Sequence, residues 1–234
     1  MNHMADQKTG EVLKTIARDR TRTNILKTYE QRALAWLVQR IPGWMSSNML
    51  TAIGFSGNIL VMAGFLLASA LRYEYLLLGV PGFLISWFGD SLDGRVAYFR
   101  NKPRKWFGFT LDLTTDWIGT FLIGLGFAVY VEGITKYLGF LFVVLYGWEI
   151  ITALLRYKIT GKYAIDAGKL GPTEVRLILT LVLVAEVLFR GSLAYLGVLA
   201  CLVLFVVNLI DFRKLLKQAN ERDQSDKRGE TPAS

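Results

Sequence analysis

Histidine and cysteine are nearly absent: His3 stands near the start and Cys201 inside an apolar segment, each the sole residue of its type among 234. A disulfide framework is thereby excluded, and so is a soft-metal site built from thiolates and imidazoles. The chain carries no sequence repeat and no low-complexity tract. Its first residues, charged and polar through about Thr28, lack the hydrophobic core of a signal peptide, so this end is expected to stay in the cytoplasm.

Apolar residues are what the chain has in excess. Hydrophobic content of 53%, aromatic content of 13% and a positive mean hydropathy indicate an all-α integral membrane protein with a single polytopic domain. The net charge of +8 does not point to nucleic acid, because the bases fall in short clusters that bracket apolar runs. Membrane topology accounts for that distribution.

Residues 1–47 read as a cytoplasmic arm, with Lys8, Lys14, Arg18, Arg20 and Arg22 set among little apolar periodicity. Within the arm, Tyr29, Leu34, Trp36, Leu37 and Ile41 alternate with Arg32, Gln39 and Arg40 at helical spacing. That pattern suits an amphipathic helix lying at the membrane interface and ended by Pro42-Gly43, or a short helix packed on another cytoplasmic element. Six transmembrane helices are expected over residues 48–212, at about 49–71, 74–98, 106–131, 135–157, 174–191 and 193–212. Arg176 and Glu186 interrupt the fifth, and Pro81-Gly82 should let the second bend. Residues 213–234 form a polar tail, helical briefly and then disordered. Of 27 Lys and Arg residues, 24 lie in the arm, the second-to-third connection, the fourth-to-fifth connection and the tail. Arg72, Lys136 and Arg190 are the rest, so both termini and both long connections are expected on the cytoplasmic side.

Where the second span runs into the third, the chain concentrates carboxylates: Asp90, Asp93, Asp112 and Asp116. Each Asp near a bilayer centre costs roughly 2.5–3.5 kcal/mol on insertion scales, so four together require a compensating cation. The i,i+3 and i,i+4 spacings project each pair from one face of its helix, and two facing helices would converge all four on one centre. Oxygen donors without His or Cys suit a hard divalent ion, Mg²⁺ first and Mn²⁺ or Ca²⁺ behind it.

The stretch Asp90-x2-Asp93-Gly94-x2-Ala97, continued by Gly108-x3-Asp112-x3-Asp116, resembles the signature of the CDP-alcohol phosphotransferase family. Tyr98 stands where the family has Arg, and ten residues rather than nine separate Ala97 from Gly108. Arg100, Lys102, Arg104 and Lys105 are the candidates to replace that guanidinium. The resemblance implies a divalent-metal enzyme holding two ions on the four aspartates, with Asp116 as general base toward the acceptor hydroxyl. It implies a CDP-linked donor, CDP-diacylglycerol favoured, a small polar alcohol acceptor and a homodimer. Gly94 and Gly108 would let a nucleotide approach the backbone, or would pack helices. Ser46-Ser47-Asn48-Met49-Leu50-Thr51 is similar to the family's Pro-Asn-x-x-Thr stretch, implying Asn48 and Thr51 near the donor nucleotide; helix capping accounts for the same residues. Family members that act on phosphorylated polyols hold the acceptor's phosphate with bases near the fourth-to-fifth connection. Arg156, Lys158 and Arg176 are the residues in that position here, with topology charge the reading preferred for Lys158 and pairing to Glu174 the alternative for Arg176. The expected reaction is transfer of a phosphatidyl group with release of CMP. A CDP-aminoalcohol donor with a diradylglycerol acceptor is the nearest alternative, and a secondary transporter that keeps acids in its bundle is the alternative from another class.

Overall fold

The computed structural model describes residues 27–161 and 171–228, and every regular element within them is helical. The arm before residue 27 with its five bases, Lys162, Gly168 and Lys169 of the fourth-to-fifth connection, and residues 229–234 lie outside the described residues. The helices are α1 (Lys27–Val38), α2 (Ser47–Ala70), α3 (Gly79–Phe99), α4 (Lys105–Tyr130), α5 (Tyr137–Thr160), α6 (Pro172–Leu188) and α7 (Ser192–Lys227). Single 3₁₀ stretches, Tyr73–Leu78 and Gly133–Lys136, lead into α3 and α5.

Five helices are long and apolar enough to cross a membrane: α2, α3 and α5 with their leading 3₁₀ turns, α4, and α7. Helix α6, where the fifth of the six spans is expected, has 17 residues and includes Arg176 and Glu186. At 1.5 Å per residue it reaches about 25 Å. Pro81 lies in the first turn of α3, where the missing N–H has no intrahelical partner to lose, so it sits at the start of a helix instead of inside one. The carboxylate of Glu186 is also accounted for. It accepts from the backbone N–H groups of Gly191 (2.9 Å) and Leu193 (2.6 Å), and from Tyr130 Oη at 3.0 Å, so a buried acid caps the first turn of α7.

The α2–α3 pair is the closest in the bundle, because glycine lets the two backbones touch. A Cβ on Gly57 would stand 2.4 Å from the Gly82 carbonyl oxygen, and one on Gly89 would stand 2.3 Å from the Gly54 nitrogen. Helix α4 packs on α2, α5 on α4, α7 on α5, and α6 against α3. Away from the aspartates, Val61, Phe65, Leu76, Phe83, Leu183 and Leu193 form the larger core cluster. At the aspartate end, Leu34 and Val38 of α1 are buried with Leu50, Leu92 and Val96, while Trp36 faces outward under the Arg40 guanidinium. Thr173 Oγ1 donates to Glu30 at 2.9 Å and ties α1 to the start of α6.

Candidate active site

Helix α3 carries Asp90 and Asp93 toward its C-terminal end, and α4 carries Asp112 and Asp116 in its first half. The ends meet. One carboxylate oxygen from each of Asp90, Asp112 and Asp116 can be chosen so that all three lie within 4.8 Å of one another. Asp93 is more deeply buried, at 6% exposure, and lines the same small cavity with Thr51, Ser86 and the other three aspartates. Two hydroxyls of α2 fix it. Thr51 Oγ1 donates to its carboxylate at 2.7 Å, and Ser47 Oγ donates to its backbone carbonyl at 2.9 Å.

Arg176 closes the cluster from α6. Its guanidinium lies 2.7 Å from Asp90 Oδ2 and 3.6 Å from Asp116 Oδ1, so one cation joins the two halves of the aspartate motif. Glu174, one of the two alternatives for its partner, accepts from the Gly171 N–H at 3.0 Å at the helix start. The four carboxylates, with the Arg176 guanidinium beside two of them, form an acidic, oxygen-only, convergent donor set, and this composition fits a hard divalent cation. Asp90, Asp112 and Asp116 could hold it, with Asp93 beside them.

The residues expected at the nucleotide end divide into distinct roles. Ser46 caps α2 by accepting from Met49 N–H at 3.2 Å, which leaves Asn48 free of capping duty. Asn48 Oδ1 accepts from Arg104, one of the four candidate replacements for the missing signature guanidinium. Arg100, another candidate, is committed to the backbone and donates to the carbonyls of Met45, Ile41 and Pro42. Ala97 and Tyr98 accept through their carbonyls from Lys102 and Asn101 N–H, with Asn101 at φ 53°, which is how α3 ends. Among the described residues a Cβ built on Gly94 or Gly108 would meet nothing within 4 Å, so no described helix packs closely on either. Arg156 is paired with Asp211 of α7 at 3.3 Å and lines neither of the two cavities at the aspartates.

A second cavity adjoins the first. Asp116, Asn58, Thr120, Tyr146 and Arg176 form its polar part, and Phe83, Ile123, Phe142 and Leu179 are among its apolar walls. Asn58 lines both cavities. No sequence expectation included it, although a carboxamide inside the apolar run of α2 is the kind of residue that marks a site within a membrane.

The sequence model described as CDP-alcohol phosphatidyltransferase matches residues 44–211, which take in both halves of the aspartate motif, Asn48, Thr51 and Arg176. The chain belongs to the CDP-alcohol phosphatidyltransferase family. No curated protein matches it. Membership makes this a chain of a phosphotransferase family, and the aspartates that carry the family signature are the ones that gather between α3 and α4.

Proposed function

We propose that the protein transfers a phosphatidyl group from CDP-diacylglycerol to the hydroxyl of a small polar alcohol and releases CMP. The observation that carries this reading is the junction of Asp90, Asp112, Asp116 and Arg176 from three helices, where an acidic cluster lining one cavity meets, at Asp116, a cation lining the adjoining one. In the transfer the acceptor oxygen bonds to the phosphorus that bears the lipid, and its proton passes to Asp116 Oδ. The bond from that phosphorus to the bridging pyrophosphate oxygen breaks, and the electron pair leaves with CMP. Asp90, Asp93, Asp112 and Asp116 would hold two Mg²⁺ or Mn²⁺ ions, which would neutralise pyrophosphate charge. Thr51 and Ser47 keep Asp93 in place, and Arg104 with Asn48 offers a cation and an amide to the nucleotide. Open space over Gly94 and Gly108 supports close approach of that nucleotide to the backbone. Arg176 holds an anionic group of the acceptor beside Asp116.

In this reading α2 to α7 are six spans, both termini and the aspartates are cytoplasmic, α1 lies at the interface, and the enzyme works as a homodimer. The apolar walls of the second cavity favour one other assignment, a CDP-aminoalcohol donor with diradylglycerol as the acceptor. Purified protein in Mg²⁺ decides between them. CDP-diacylglycerol should release CMP with one of serine, glycerol phosphate, inositol or inositol phosphate. CMP release only from a CDP-aminoalcohol with diradylglycerol would reverse the partners.

A further inference from the structure

Asn58 is 8% exposed in the middle of α2, and it lines both the aspartate cavity and the larger one beside it. Among the described residues its carboxamide has no hydrogen-bond partner, whereas Thr51, two turns earlier, is engaged with Asp93 and Ser47. The donors and the acceptor of Asn58 are left open toward the cavities it lines, where they can meet a polar ligand. The backbone of α4 makes room for it. At Gly119, one turn beyond Asp116, a Cβ would stand 2.2 Å from Asn58 Nδ2 and 2.9 Å from its Cγ. Asp116 and Gly119 line the same cavity as Asn58, with Thr120 Oγ1 spent on the Asp116 carbonyl at 2.9 Å.

We infer that Asn58 positions the acceptor hydroxyl, holding the oxygen that attacks in front of the Asp116 carboxylate. The inference rests on the transfer reading above and adds the residue that orients its nucleophile. A carboxamide suits this task because a hydroxyl both donates and accepts, and an amide answers either need without charge. It leaves the proton for Asp116 to take. An ammonium or guanidinium at this position would lower the basicity of that carboxylate, and a carboxylate would compete for metal. The same hydrogen bond serves a hydroxyl on a small polar alcohol or on a diradylglycerol.

Two variants test it. Asn58→Leu removes the hydrogen bonds at nearly constant volume, and Gly119→Ala keeps the amide but drives it from its seat. Each is assayed in detergent with Mn²⁺, varying the acceptor that wild type uses among serine, glycerol phosphate, inositol, inositol phosphate and diradylglycerol. Both variants should lose about tenfold in acceptor kcat/KM, the worth of roughly one hydrogen bond in the transition state. Donor KM and the Mn²⁺-induced thermal shift should stay at wild-type values in both. A packing role would instead lower thermal stability and leave acceptor dependence unchanged, and that result overturns the inference. Wild-type enzyme that releases CMP while neither variant alters acceptor dependence overturns only the role of Asn58. Wild-type enzyme that releases no CMP with any donor and acceptor overturns the transfer reading and this inference together.

Discussion

At the scale of single residues, Asp116 and Arg176 stand in contact and answer to different measurements. Asp116 is the carboxylate that both cavities share, so it can face the acceptor from one and the other metal-holding aspartates from the second. Asp116→Asn should lower turnover about 10²–10⁴-fold, the usual worth of general-base help, with donor KM little changed. Arg176→Ala should raise the acceptor KM and leave the donor KM near wild type, which initial-rate assays under saturating donor would read. An unaltered acceptor KM in Arg176→Ala would remove the phosphorylated-polyol acceptor from consideration. The four aspartates were legible because carboxylates are expensive among apolar residues and their spacing is helical. The partner of Arg176 was not, since Asp90 lies 86 positions away in the chain and nothing local distinguishes it from Glu174. Arg100 was equally opaque: whether a guanidinium serves a substrate or three backbone carbonyls depends on the path of the turn at residues 41–45.

At the scale of helices, the site depends on how closely α2 and α3 approach. Gly89→Ala would push a Cβ to 2.3 Å from two backbone atoms, Gly54 N and Leu50 O, neither of which can rotate away. The helices must separate, and Asp90 is the next residue. Thermal midpoint and activity should therefore fall together, by about 1–3 kcal/mol in stability, whereas Asp90→Asn should lose activity with its unfolding midpoint intact. The α5–α7 contact carries a different liability. Glu149 is 6% exposed and neither carboxylate oxygen has a hydrogen-bond partner, while Arg156 is engaged with Asp211. Glu149→Gln keeps the shape without the carboxyl, and it should raise the unfolding midpoint in detergent. A lowered midpoint would mean that the acid is needed where it stands. The boundaries of α2 to α5 fall within a few residues of the expected spans because apolar length alone marks them. The short α6 at the expected fifth span and the long α7 at the sixth differ more, since a capped acid at Glu186 and a charged helical extension to Lys227 are not hydropathy signals.

At the scale of the whole molecule, charge and hydropathy already specified a polytopic helical protein, while the helix-to-helix pairing that brings the aspartates and Arg176 together came only from the folded chain. The gathering of Asp90, Asp112 and Asp116 is the central feature, and the purpose proposed for it is metal-dependent cleavage of a CDP-linked donor. Mn²⁺ binding and CMP release measured on the same preparation test this most directly, with wild type compared against Asp112→Asn, in chelator and after Mn²⁺ is restored. The expected result is that wild type binds Mn²⁺, releases CMP from CDP-diacylglycerol only with the metal present, and loses both properties in Asp112→Asn without losing its fold. Full CMP release in chelator, or an Asp112→Asn variant that binds Mn²⁺ and turns over like wild type, would contradict it.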